Sequence, residues 1–227
     1  MRKITEYIKS NPLIILLVFT AILITAAMLK YKQPFIRVMP LYISLVINFL
    51  TSKINRFSPL IGGINSILYA GIIFFYKLYG SALHAVLISS TTQFITFIRW
   101  SKHPYGNSTV LKKMTKKQVI LTIFSIIVSL CVLCPLLSLT DTPQSVLDSA
   151  VTVISTFCSV LCMLSYAEYT KLMLLSSAMT LLLYISMVYQ GDYEQVDYLI
   201  FSVYSLICIT KSVFSAKKLL KEQSANS

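Results

Sequence analysis

Negative charge is scarce in this chain, with eight Asp and Glu against twenty Lys and Arg in 227 residues. Charged residues of both signs reach only 12%, about half of the roughly 25% found in soluble domains, so an ordinary soluble fold is excluded. Histidine is nearly absent, with two residues, His84 and His103. An intramembrane enzyme needs convergent His, Cys, Asp or Ser in nucleophile-base geometry, and this inventory cannot build one. The five cysteines all fall inside apolar runs. Cys131 and Cys134 have redox-motif spacing, but Pro135 follows them and no histidine accompanies them, so all five read as buried small hydrophobes. No disulfide framework, metal or cofactor is expected.

What is present is apolar, with 56% hydrophobic residues, and the reading is an all-α polytopic membrane protein. The net charge of +12 does not imply a nucleic-acid partner, because the basic residues sit between apolar runs, where cytoplasmic loops collect them. Eight transmembrane helices are predicted. The first follows a basic leader and runs from Pro12 to about Leu29, too long and with too poor a cleavage site for a signal peptide, hence an uncleaved span. The second, Pro34 to Thr51, puts Ser44, Asn48 and Thr51 on one face, with Arg37 snorkelling to the interface. Spans three and four occupy Ser58 to Trp100 and turn at Leu78-Tyr79-Gly80. A long basic loop follows, with Lys102, Lys112, Lys113, Lys116 and Lys117, in which Asn107-Ser-Thr reads as a turn. Thr115 and Gln118 have capping-box form and should open span five, Val119 to about Leu139, an aliphatic connector. Spans six, seven and eight run from about Ser145 to Tyr166, Tyr169 to Gln190, and Asp197 to Ile209, before a basic tail with a frayed end.

Polar side chains recur at helical spacing. Ser58, Gly62, Asn65, Tyr69 and Tyr76 share one face of span three, and Ser90, Gln93, Phe97 and Trp100 one face of span four. An unpartnered amide in hydrocarbon costs several kcal/mol, so Asn65 and Gln93 must face protein, water or a ligand. Helix-to-helix bonding is the plain reading of any one such residue. Two amides flanked by aromatics favour a site that stacks on and hydrogen-bonds a flat solute. Span six carries Asp148, Thr152, Ser155, Ser159 and Cys162 on one face, and span seven presents Thr170, Met173, Ser177, Thr180, Tyr184 and Met187. The candidate solute-binding residues are therefore Asn48, Ser58, Gly62, Asn65, Tyr69, Gln93, Phe97 and Trp100 on one wall, and Thr152, Ser155, Ser177 and Tyr184 on the other.

Orientation follows from counting. With eight spans, one side of the membrane holds sixteen Lys and Arg and the other four, Lys30, Lys32, Arg37 and Lys77, which places both termini in the cytoplasm. Spans two to four and six to eight echo one another, so residues 34–101 and 141–216 read as two parallel three-helix repeats. Residues 1–33 add a basic N-terminus and an extra helix, 102–140 a basic loop and linker helix, and 217–227 a basic tail. In parallel repeats the substrate site lies near the midplane between the copies.

The pattern Ser58-x3-Gly62-x2-Asn65-x3-Tyr69, then Leu78-Tyr79-Gly80, then Gln93-Phe94-Ile95 and Trp100, resembles the PnuC-type vitamin transporters, known for nicotinamide riboside uptake. Leu147-Asp148-Ser149-Ala150 with Thr152 and Ser155, and also Glu168 and Tyr184, extend the resemblance over about residues 40 to 215. It implies a 3+1+3 fold plus the extra N-terminal helix, a bacterial inner membrane, homotrimers, facilitated diffusion without an ion gradient, and trapping of the product by a cytoplasmic kinase. One departure bears on the solute. Where family members that carry nicotinamide riboside have Asn-Trp-x-x-Trp-x-x-x-Asn, this chain has Tyr169-Thr170-x-x-Met173-x-x-x-Ser177, a loss of two stacking surfaces worth about 1–3 kcal/mol each. The expected solute is a nucleoside such as a deoxyribonucleoside or nicotinamide riboside, with thiamine or riboflavin as the alternative, and a membrane scaffold or sensor as a more distant one. Except for His84, the centres of the spans lack ionisable groups, which argues against proton coupling and for an uncharged solute.

Overall fold

The computed structural model describes residues 12–75, 85–138 and 145–225. Among them are eight helices of membrane-protein character: α1 Pro12–Lys30, α2 Phe35–Ser52, α3 Ser58–Phe75, α4 Thr91–Lys102, α5 Lys116–Ser138, α6 Ser145–Met163, α7 Tyr169–Tyr189 and α8 Val196–Ala225. Five of them, α1, α2, α5, α7 and α8, are long and apolar enough to cross a bilayer. The turn Leu78-Tyr79-Gly80, Tyr76, Lys77, His84 and the side chain of Asp148 lie outside the described residues.

Local chemistry explains the breaks. A π-helical turn, Ala85–Ser90, leads into α4, and such a register leaves backbone carbonyls poorly matched. Hydroxyls answer them: Ser90 donates to Val86 O, and Thr92 Oγ1 donates to Ile88 O at 2.7 Å. The capping box forms at α5, where Thr115 N–H donates to Gln118 Oε1 at 2.9 Å and Gln118 N–H donates to Thr115 Oγ1 at 3.3 Å. Asn107 sits in a turn as expected. Gly106, at φ 58°, and Asn107 join two short antiparallel strands, β1 Pro104–Tyr105 and β2 Ser108–Thr109.

Packing runs α6 on α7, α7 on α8, and α8 on α2, with α1 laid against α8 and α2. α5 touches chiefly α6, and its Ile120, Leu121, Phe124 and Val132 point away from the protein. One core joins α1, α2 and α8 around Ile24, Val38, Leu45 and Cys208, where the Tyr204 hydroxyl donates to Leu45 O at 3.2 Å. At the lysine-poor end of α2, Arg37 pairs with Glu194 at 2.8 Å. At the basic end a second core gathers Ile54, Trp100, Leu111, Leu161, Tyr169 and Ala216.

Two features of the basic end differ from the sequence reading. α8 does not stop near Ile209 but continues to Ala225, because Leu219 and Leu220 pack on the second core and Lys218 pairs with Glu222 at 3.8 Å. The segment between β2 and α5 is more than a charge marker. Lys112 N–H donates to Ser165 O at 2.8 Å, Ala167 N–H donates to Lys112 O at 2.9 Å, and Met114 N–H donates to the Glu168 carboxylate at 3.2 Å. Arg56 N–H donates to Asn107 O at 3.0 Å. The β1–β2 turn and the segment that follows thus hold the α2–α3 and α6–α7 turns, respectively.

Candidate functional site

Enclosed between α2, α3 and α4 on one side and α6 and α7 on the other is a cavity of about 230 Å³. Its floor is aromatic. Trp100, the single tryptophan of the chain, is 2% exposed, and its indole N–H donates to Cys162 O at 3.1 Å. That carbonyl lies in the last turn of α6, where intrahelical partners run out, and Ser165 N–H also donates to it. The Trp100 ring meets the Tyr169 ring at 6.1 Å and 58°, and the Cys158 thiol donates to Tyr169 O at 3.4 Å. Below this floor the second core seals the basic end.

The polar wall rises from the floor along α2 and α4. Gln93, Thr96 and Trp100 line the cavity from α4, and Asn48 and Thr51 from α2. Gln93 lies nine residues before the end of α4, so at 1.5 Å per residue it stands about 14 Å inside the basic end. That is close to the middle of a hydrocarbon layer about 30 Å thick. Gln93 Nε2 donates to Ser66 Oγ at 3.0 Å. Its Oε1 occupies space that only a glycine leaves, since a Cβ on Gly62 would fall 1.7 Å from it. Gly62 therefore serves the site by making room for the amide. The Nδ2 of Asn48 is buried with no hydrogen-bond partner among the described residues. A buried donor left unmade costs about 1–3 kcal/mol, and this one borders empty space that a solute or water can fill.

The predicted residues divide into groups. Asn48, Ser58, Gln93 and Trp100 share the cavity, although the Ser58 hydroxyl is engaged with Thr51 and with Ile47 O. Asn65 is bound into the α2–α3 contact, with Nδ2 donating to Ser44 Oγ at 3.0 Å and to Pro40 O at 3.3 Å. Phe97 packs on Phe57 at 5.9 Å, away from the cavity wall. Tyr69 is half-exposed and, eleven residues beyond Ser58, lies about 16 Å further along. Tyr184 stacks on Tyr198 at 5.4 Å and 28°, near the end of α7 remote from the cavity floor. On α6, Ser155 is exposed and donates to Thr152 O at 3.0 Å, and neither residue is among those that line the cavity. Ser177 is buried one turn past Met173, with its hydroxyl unpartnered among the described residues.

Several lining residues escaped the sequence reading as site candidates. Thr96 is one: Gln93, Thr96 and Trp100 step by three and four, the same helical spacing that Phe97 also satisfies. Cys158, Ser159, Cys162 and Met173 line the wall from α6 and α7, and Asn55 from the α2–α3 turn. No Asp, Glu, Lys, Arg or His stands among the residues that line it. The lining can stack an aromatic ring, donate and accept through amides and hydroxyls, and offer soft sulfur, but it holds no fixed charge and no metal-binding group of three or more acidic, His or Cys side chains exists among the described residues.

Comparison with known proteins agrees with this architecture. A crystal structure described as the vitamin B3 transporter PnuC superposes with a TM-score of 0.75, covering 93% of each chain at 20% identity, which establishes a shared fold. A search of curated proteins gave no match. The family model described as nicotinamide mononucleotide transporter matches residues 34–214, from α2 to the interior of α8 and including every residue of the cavity. The chain therefore belongs to the nicotinamide mononucleotide transporter family, whose members are membrane transport proteins and not enzymes.

Proposed function

We propose that the protein carries an unphosphorylated, neutral or weakly charged nucleoside-like solute across the membrane by facilitated diffusion, with nicotinamide riboside or a deoxyribonucleoside as the preferred cargo. The observation that carries this is the lining of the cavity: an aromatic floor and the amides of Asn48, Asn55 and Gln93, with no charged side chain. A phosphomonoester would call for Arg or Lys in fork or point-charge contact, so the family's descriptive name fits this wall less well than the dephosphorylated nucleoside does. Size points the same way. At about 230 Å³ the cavity is smaller than the roughly 300–1,000 Å³ typical of drug-sized ligands, which favours a nucleoside over a three-ring flavin.

The same wall supports uniport. Coupling to protons needs a titrating group in the path, and such groups are costly enough in the membrane to be functional by default. We assign Asn48 and Gln93 to hydrogen bonding and Trp100 and Tyr169 to stacking, while Met173 and Ser177 mark where the family's tryptophan and amide are replaced. The position of the cavity between α2–α4 and α6–α7 supports a parallel-repeat reading of 34–101 and 141–216, and the outward apolar face of α5 suits a homotrimer contact or lipid. Net accumulation would rely on a cytoplasmic kinase. In proteoliposomes, uptake of labelled nicotinamide riboside or deoxyribonucleoside should persist at full rate when proton and sodium gradients are collapsed. Abolition by an uncoupler would sink the uniport mechanism.

A further inference from the structure

We propose that the groove between residues 110–113 and the basic end of α8 binds the headgroup phosphate of an anionic phospholipid. The groove, of about 590 Å³, is lined by Lys113, Lys217 and Lys221 together with Val110, Leu111 and Leu220. Its two walls are fixed by a single side chain. Gln223 Nε2 donates to Thr109 O at 2.9 Å, and Leu111 N–H donates to Gln223 Oε1 at 3.1 Å, so both ends of one amide hold the loop to α8. Leu111, 5% exposed, anchors the loop wall in the basic-end core.

The charges in this groove are unbalanced. Lys217 and Lys221 stand one turn apart on the same face of α8, a like-charge spacing that opposes the helix, and Lys113 adds a third positive charge from the loop. The acid nearest in sequence, Glu222, pairs with Lys218, and no ion pair to Lys113, Lys217 or Lys221 occurs among the described residues. An anion between the three lysines relieves this repulsion.

The position selects the source of the anion. α8 has 30 residues, which is about 45 Å of helix, and the hydrocarbon layer is about 30 Å thick. Its last turns, from about Ala216 onward, therefore stand at headgroup level. Phe214 is largely exposed and Lys217 Nζ lies 5.9 Å from its ring centre, an aromatic and a cation where acyl chains give way to headgroups. Val110 is also exposed, so the groove presents apolar edges beside its lysines. A diester phosphate fits the lysines and its glycerol and first acyl carbons fit those edges, whereas a soluble phosphate gains from the charges alone. Basic pockets of this kind on the cytoplasmic side suit anionic headgroups, and the side follows from the sixteen-to-four distribution of Lys and Arg.

The test is native mass spectrometry of the full chain released from nanodiscs of phosphatidylcholine, with and without phosphatidylglycerol. The wild type should retain phosphatidylglycerol in preference to phosphatidylcholine. At about fivefold per lysine, the combined change Lys113→Gln, Lys217→Gln and Lys221→Gln should lower that retention roughly a hundredfold. The exposed control set Lys102→Gln, Lys116→Gln and Lys117→Gln, with the same change in net charge, should leave it unaltered. Lys221→Gln alone, an exposed change unable to disturb the core, should show its fivefold share even if the triple variant folds poorly. Equal loss in the control set, equal retention of phosphatidylcholine, or displacement of the lipid by millimolar-range inorganic phosphate would overturn the proposal.

Discussion

Trp100→Ala is expected to be the most damaging single change in the chain, lowering stability by about 3–5 kcal/mol and eliminating uptake. The indole is buried in the basic-end core, so truncation leaves a cavity bounded by Tyr169, Leu161 and Ile54. It also removes the cavity floor. Trp100→Phe separates the two roles: it keeps most of the ring and loses the N–H donated to Cys162 O, a cost of about 0.5–1.5 kcal/mol. Because Ser165 N–H also donates to that carbonyl, the Phe variant should fold and retain part of the transport. Thermal unfolding in detergent and uptake in proteoliposomes, measured on both variants, check this. If Trp100→Ala unfolded like the wild type, the basic end would not be the sealed core described above.

The second large effect is a contrast among three amides. Asn48→Ala and Gln93→Ala should each weaken nucleoside binding by about tenfold or less, and the pair together by about 10–100-fold, on the scale of one hydrogen bond apiece. Neither should lower the thermal midpoint appreciably, since Asn48 Nδ2 has no partner to lose among the described residues and Gln93 gives up one bond to Ser66. Asn65→Ala should do the reverse. Its Nδ2 ties α3 to Ser44 and Pro40 of α2, so the loss appears as stability and only secondarily as affinity. Equal effects on fold and binding for all three would mean that Asn48 and Gln93 are helix-to-helix contacts like Asn65.

The helical membrane architecture was legible in the sequence because hydropathy, capping chemistry and turn residues act locally. Thr115 and Gln118 announced the start of α5, and Asn107-Ser-Thr its preceding turn. The division of the polar faces was not legible. Asn65 and Gln93 look alike in sequence, each an amide on an apolar helix whose nitrogen donates to a serine hydroxyl, yet only Gln93 also lines the cavity. The polar stripe of α6 reaches the cavity only at its end, where Ser159 and Cys162 line it, while Ser155 is exposed; both serine hydroxyls donate to carbonyls of their own helix, at Thr152 and Ser155, so periodicity overstated what the rest of that face offers a ligand. The extent of α8 was hidden for a different reason. Hydropathy falls beyond Ala216, and the packing of Leu219 and Leu220 and the clamp made by Gln223 are tertiary contacts that no local window contains.

The uncharged wall around Asn48, Gln93, Trp100 and Tyr169 is where a solute would be recognised. Isothermal titration of the detergent-solubilised full chain with nicotinamide riboside and with its 5′-phosphate tests that wall most directly, with deoxyribonucleosides, thiamine and riboflavin as further ligands. An unphosphorylated nucleoside should bind, and adding the phosphate should weaken binding by at least tenfold, about 1.4 kcal/mol. Tighter binding of the phosphorylated form, or binding of none of these ligands, would contradict this reading.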